Sequence, residues 1–395
     1  MNAPQPSHTE QLYKAARDMI PALRSRVEET ARLGQLPEDT VNDMQEAGFF
    51  RIMQPARYGG FEMDPEVFFR VQMTLAEGCM STAWVLGVVA IHNWQLALFD
   101  DRAQQDVWGE DERTLISSSY MPVGKVERVE GGYALSGHWG FSSGCKHCQW
   151  AFLGAVVPPE NPGDAPDYRT FLLPAADYEI VDNWSVSGLE GTGSHDIVVR
   201  NAFVPEYRTH RAIHGFECAS PGNEINTHPI FRLPFGQIFV RAVSSSSIGC
   251  LKGVVDSYIA VNKDRVGLND GSRIATDPDA QMALAEAVVA IDECQTVMLR
   301  NFDRMLEAAR EARQLPIEER IKMRFDAALV SRKCTDAING MFNACGAQGI
   351  FRGHPLNRAW LDINAGRQHV ANNPFKFGRN LGASMLGGEN GDFFL

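Results

Sequence analysis

The sequence predicts an α+β multidomain chain: an N-terminal helical domain over 1–113, a central β-sandwich or barrel over 114–234 and a C-terminal helical bundle over 235–395. Three observations predict it. Apolar residues recur at helical spacing up to about position 108. The period switches to two between about 114 and 205. Long helical segments then resume from about 235 to the end.

In the first block, Leu12, Ala15, Met19, Leu23 and Val27 recur every three or four residues, which is one face of an amphipathic helix. Asp64-Pro65-Glu66 reads as an N-cap, a first-position proline and an acidic first turn. The segment 81–99 is apolar on most sides, so its helix should be buried. In the second block, two alternating runs flank Glu130-Gly131-Gly132, a hairpin signal. Further strands are expected over 150–157, 170–173 and 197–204, with prolines and glycines between them. The segment 208–234 has no clear period. In the third block, Asp277-Pro278 caps a helix that runs to about 312, and 316–344 fits another. Long helices on short loops favour an antiparallel bundle.

Composition narrows the function. The 395 residues carry 37 basic and 49 acidic side chains, a net charge of −12. That balance argues against nucleic acid or an anionic membrane as partner, since both require basic patches. A phosphate-bearing cofactor needs only a few local cations. The eight cysteines are scattered along a long chain, unlike a disulfide framework. The first ten residues show no secretory signal, and the apolar run 83–91 is too short to span a bilayer. A cytoplasmic location is the expectation.

The sequence contains no G-x-G-x-x-G, no phosphate-binding P-loop and no H-E-x-x-H, so no nicotinamide site of its own is expected. Cys145-Lys146-His147-Cys148 lacks the second ligand pair that zinc requires, and no metal site is expected. Three clusters carry polar chemistry. Ser117-Ser118-Ser119 and Phe141-Ser142-Ser143-Gly144 could offer hydroxyls and N–H groups to a flat polar ring, or could merely satisfy their own strands. His92 sits on the apolar helix with Asn93 and Trp94, where a hydrogen-bonded core histidine is the plainer alternative. His369 follows Arg367 at the end of a helical run, where it is equally well a capping residue.

Taken together, His92-Asn93-Trp94-Gln95, Ile116-Ser117-Ser118-Ser119-Tyr120, Ser142-Ser143-Gly144-Cys145, Gly191-Thr192-Gly193-Ser194 and Val204-Pro205-Glu206-Tyr207-Arg208, in that order, resemble a known family. It comprises the oxygenase components of two-component, reduced-flavin-dependent monooxygenases with the acyl-CoA dehydrogenase fold. The resemblance covers nearly the whole chain and implies that the bundle has four helices. It also separates the chain from the dehydrogenases that share the fold. Where many of those carry a glutamate base, this chain has Val370, which cannot accept a proton, and His369 precedes it.

The resemblance implies a cofactor, a co-substrate and roles. Reduced flavin, FADH2 or FMNH2, arrives from a separate NAD(P)H:flavin reductase and reacts with O2. The resulting flavin C4a-hydroperoxide hydroxylates a small aromatic, phenolic substrate. Ser143 is expected beside flavin N5. His92 is expected to bind or deprotonate the substrate, and His369 to handle the peroxide or position the flavin. Ser117, Ser119, Trp139, Phe141 and Ser142 match flavin-ring strands. Arg265, Gly346 and Arg367 are expected at the cofactor tail, reached from a neighbouring subunit in a homotetramer. Trp94, Ser119 and Tyr120 join His92 around the substrate. Oxygenation of indole or of a sulfur or nitrogen atom, acyl-CoA dehydrogenation, and a bundle scaffold without catalysis are the alternatives.

Overall fold

The computed structural model describes residues 7–395 except 160, 162, 164, 165 and 268–270; residues 1–6, part of the segment read for a signal, lie outside it. The first block folds as α1 (His8–Ser25), α2 (Val27–Leu33), α3 (Glu38–Glu46), α4 (Pro65–Ala76), α5 (Met80–Leu96) and α6 (Asp101–Trp108). A Ser7–Glu10 capping box starts α1, and Leu12, Ala16, Met19 and Leu23 form its buried stripe. Asp64 precedes α4, but its side chain makes no cap hydrogen bond and pairs instead with Arg310 of the bundle. All seventeen residues of α5 are buried, so this helix is the axle of the first block.

Among the described residues seven strands form one sheet in the order β5-β6-β2-β1-β3-β4-β7. They are β1 (Ile116–Val129), β2 (Gly132–Ser142), β3 (Trp150–Val157), β4 (Asp167–Pro174), β5 (Tyr178–Val181), β6 (His195–Pro205) and β7 (Thr209–Arg211). The long β1 serves two partners. Its first half runs parallel to β3 and its second half antiparallel to β2, with a register shift between Ser119 and Gly124. The sheet therefore folds over at β1 and encloses a second core around Trp139, Leu153, Phe171 and Ile197. The β1–β2 turn is the expected one, with Gly131 at φ +78°. Strands β5 and β7 escaped the sequence reading because they are four and three residues long.

The segment 208–234 is not an unstructured linker. It contains β7, α7 (Ala212–Glu217) and two 3₁₀ turns. The bundle follows as α8 (Phe235–Ala242), α9 (Ser245–Asn262), α10 (Pro278–Arg310), α11 (Ile317–Cys345), α12 (Pro355–Arg367) and α13 (Pro374–Met385). Asp277 caps α10 by accepting the Ala280 N–H at 2.8 Å. Among the described residues one helical stretch, Phe235–Asn262, is long and apolar enough to cross a membrane. However, 94% of its apolar window is buried inside the protein. It packs on α5 and α4, which joins the bundle to the first block through one continuous core.

Candidate active site

Helix α5 positions the chemistry. Trp84 and His92 lie eight residues apart on it, about 12 Å along the axis and about 80° apart around it. Trp84 meets the turn that follows β2, and His92 meets the first residue of β1.

At the Trp84 end, the indole N–H donates to Ser143 Oγ at 3.2 Å. Ser143 follows β2 on a turn that Gly144 completes at φ +70°. A Cβ on Gly144 would come within 2.9 Å of Val85, so this turn lies flat against α5. Ser143 Oγ also pairs with Ser194 Oγ at 2.8 Å, and its N–H donates to the Phe141 carbonyl at 3.1 Å. Phe141 holds φ +63°, a conformation costly for a non-glycine residue, and leaves 68% of its surface exposed beside Trp184. Ser142 Oγ is buried without a partner. From the bundle, His369 brings its ring edge-on to Trp84 at 5.8 Å. Its Nδ1 accepts the Ala371 N–H at 3.1 Å, so a neutral ring carries its proton on Nε2. Desolvation, helped by the nearby Arg324 guanidinium, lowers its pKa to about 4. Arg324 is itself buried and donates to the Ala371 carbonyl at 2.9 Å.

At the other end, His92 is wholly buried. Its Nδ1 lies 2.6 Å from the Ile116 carbonyl oxygen. A carbonyl only accepts, so Nδ1 carries the proton and Nε2 is a bare acceptor; no group satisfies it. Burial pushes the pKa to about 4 and keeps the imidazole neutral. Tyr120, Phe152 and Phe239 surround it at ring separations of 6.1, 5.8 and 6.5 Å. Tyr120 donates to Gln95 Oε1, and burial pushes its hydroxyl well above the usual range. The tail adds the outer wall: Phe394 packs on Phe235 and Phe239 at 5.2 and 6.0 Å. A narrow pocket between Gln95, Tyr168, His210, Phe235 and Phe394 opens there.

Several expected residues sit elsewhere. Trp139 is sealed inside the sandwich with its N–H shared between the Met121 and Gly154 carbonyls. Trp94 faces away from His92, bonds the Ile230 carbonyl at 2.9 Å and stacks on Phe235, so it backs the cavity wall instead of lining it. Strand alternation puts Ile116, Ser118 and Tyr120 toward α5 and turns Ser117 and Ser119 the other way. Ser119 is spent on the Gly140 carbonyl at 2.7 Å, while Ser117 Oγ is buried without a partner. Ser118, half-buried, is the β1 hydroxyl on Tyr120's face. Arg265 and Gly346 do come together: the guanidinium reaches the Cys345 carbonyl at 3.3 Å, and a Cβ at Gly346 would meet open space. The Arg367 side chain makes no hydrogen bond or ion pair among the described residues. Cys145 and Cys148 bond backbone carbonyls, and burial pushes both thiols up, which leaves them inert.

These groups fit a flavin ring. Phe141 offers an open aromatic face, Ser143 retains a lone pair, and the partnerless Ser142 hydroxyl lies beside them. Val370, 70% exposed, has no proton-accepting atom to replace a dehydrogenase glutamate.

Comparison with known proteins identifies the family. Residues 6–111 match the acyl-CoA dehydrogenase N-terminal domain, and residues 242–374 match a C-terminal domain of that group. The chain is 38% identical over 361 residues to the flavin-dependent monooxygenase, oxygenase subunit HsaA, of Rhodococcus jostii, covering 90% of this chain and 93% of that protein. It is 31% identical to the oxygenase component of the FADH2-dependent resorcinol hydroxylase of a Rhizobium species, covering 98% and 97%. The crystal structure of a 3-HSA hydroxylase from a Rhodococcus superposes with a TM-score of 0.93 at 35% identity, covering 98% of this chain and all of that one. The chain thus belongs to the oxygenase components of flavin-dependent monooxygenases built on the acyl-CoA dehydrogenase fold, which use reduced flavin and O2 and depend on a separate reductase.

Proposed function

We propose that the substrate is a phenol that enters the aromatic shell around His92, with its hydroxyl on Nε2 and its ring directed toward Ser143. One observation carries this reading: Nε2 is a wholly buried acceptor with no partner, held in one tautomer by Ile116. An unpaired buried acceptor costs stability unless a ligand satisfies it, and a phenolic O–H is the matching donor. A thioether sulfur has no O–H or N–H to offer and would leave it unused.

The remaining residues do physical work around that donor–acceptor pair. His92 accepts the phenolic hydrogen bond and raises the ring's electron density. Its low pKa makes it a poor sink for a whole proton at rest. As the ring gives electrons to the electrophilic oxygen, the phenol O–H becomes more acidic, so its proton shifts to Nε2 as the oxygen atom is transferred. Phe141 and Trp184 flank the flavin ring, and Ser143 faces its N5. Bound flavin supplies activation of O2; the protein supplies a dry cavity that keeps water from the reacting atoms. His369, neutral and carrying its proton on Nε2, positions the cofactor from the bundle side.

Arg265, Gly346 and Arg367 are too dispersed to serve one small head group beside Ser143. They suit the extended tail of FAD across a subunit boundary, in a homotetramer joined through the bundles. The Rhizobium relative is FADH2-dependent by name. All eight cysteines are free, which suits a reducing cytoplasm.

The test is anaerobic titration with reduced FAD and reduced FMN, followed by oxygen and a panel of phenols, indole and thioethers. Phenol hydroxylation that His92→Asn abolishes supports the reading. Unchanged turnover of any of these substrates in His92→Asn overturns it.

A further inference from the structure

Ser143 heads a chain of hydroxyls whose direction is set at its far end. Thr192 Oγ1 lies 3.0 Å from the Leu189 carbonyl oxygen, which can only accept, so Thr192 donates its proton there. Thr192 must then accept from Ser194, 2.7 Å away. With its proton used, Ser194 must accept from Ser143 at 2.8 Å. Trp84 can only donate, and it occupies one Ser143 lone pair. The Ser143 N–H is also committed, to the Phe141 carbonyl. What Ser143 presents to the cavity is therefore a single acceptor lone pair and no donor.

The anchor is firm. Leu189 holds φ +52°, and its N–H donates to Asp362 Oδ1 of α12 at 2.6 Å. Its carbonyl also receives the Thr192 N–H at 3.1 Å and the Trp184 indole at 3.2 Å. Thr192, Ser194 and Asp362 are all buried, so water does not compete for these bonds. Reversing the chain would withdraw the Thr192 proton from Leu189, whose carbonyl would keep its two N–H donors, at the expense of at most about one hydrogen bond.

We propose that this Thr192–Ser194 relay makes the site select the reduced cofactor. The inference rests on the reading that places flavin N5 at Ser143. Reduced flavin carries an N–H at N5, which matches the Ser143 lone pair. Oxidised flavin carries a bare nitrogen there, which meets acceptor against acceptor. Thr192 and Ser194 touch no cofactor in this scheme; they are positioning residues that act through Ser143. The discrimination they supply is roughly two- to tenfold, the worth of one hydrogen bond.

The test compares dissociation constants for oxidised FAD and anaerobically reduced FAD in the wild-type protein and six variants, with melting temperatures recorded to confirm folding. Ser194→Ala and Thr192→Val release the Ser143 proton toward N5. Oxidised FAD should then bind roughly two- to tenfold more tightly, with little change for reduced FAD. Thr192→Ser, which keeps the hydroxyl, should hold the wild-type ratio. Two double variants, Ser143→Ala with Ser194→Ala or with Thr192→Val, should bind both redox forms as Ser143→Ala does alone. If Ser143→Ala shifts the ratio but Ser194→Ala and Thr192→Val do not, the relay is overturned while the flavin placement stands. If Ser143→Ala leaves both constants unchanged, the placement itself fails and the relay with it. Equal weakening of both redox forms in Ser194→Ala and Thr192→Val marks a purely structural role and also overturns the relay.

Discussion

The two ends of α5 are built on opposite principles. At Trp84 every donor in the chain through Ser143 is spent, a closed hydrogen-bond circuit reaching from the indole to Leu189 and Asp362, with only the neighbouring Ser142 hydroxyl left outside it. At His92 one acceptor is left over inside an aromatic shell. A closed circuit suits a partner that must be held in one orientation and one redox form. An open acceptor in a greasy pocket suits a partner that arrives, reacts and leaves. The difference teaches that satisfied and unsatisfied polar atoms are equally informative about function, provided both are buried.

The largest effect should come from filling the open end. His92→Asn should lower phenol hydroxylation by about two to four orders of magnitude, the range for losing an acid–base group. Consumption of reduced flavin should continue, so product chromatography set against oxygen uptake separates the two. If product falls less than tenfold, the contrast between the ends dissolves.

Acid should strike next. His92 titrates near 4 in the folded protein against about 6.5 when unfolded, and burial also pushes His210 down to about 3. Both folded values are depressed, so the unfolded chain binds the extra protons and stability is lost as pH falls from about 6.5 to 4. His92 alone accounts for about 3 kcal/mol at the end of that window. Urea midpoints at pH 7 and pH 4.5 should differ less in His92→Asn than in the wild-type protein. Equal differences would show that His92 is not shielded as described.

Breaking the closed end should be milder. Ser143→Ala strands Trp84 Nε1 and Ser194, and should raise the hydrogen peroxide released per turnover about tenfold as product yield drops. Unchanged coupling would remove Ser143 from the reacting region. The smallest effect belongs to the outer wall. Phe394→Ala should lower KM for bulkier phenols severalfold and leave FAD affinity unchanged, which steady-state kinetics and fluorescence titration would read separately.

Much of the scaffold was legible because it depends on local pattern. An uninterrupted apolar run implies a helix buried all round, and α5 is one. Alternation around Glu130-Gly131 implies a tight hairpin, and β1–β2 forms it. What stayed hidden depends on orientation and distant pairing. Nothing local says that Ser118, rather than Ser117 or Ser119, faces α5, since a one-residue change of register reverses every side chain. Trp139 and Trp94 looked like cavity walls because indoles often are, yet carbonyls 15 to 136 residues away hold their N–H groups inside the core. Thr192 and Ser194 were visible only as letters in a resembling motif. Their partnership with Ser143 spans about 50 residues and closes only when β6 lies beside β2. Phe394 had no signal at all; it reaches the pocket from the far end of the chain.

The continuity of α5 has one more consequence. Because Trp84 and His92 share an unbroken helix, the gap between the two chemistries works as a fixed ruler. Adding or deleting one residue between them would swing His92 by about 100° and slide it by about 1.5 Å. The side chains around His92 come from four separate pieces of chain, and each can be exchanged alone. Engineering for new substrates should therefore vary Phe152, Phe235, Phe239 and Phe394, and leave the length of α5 untouched.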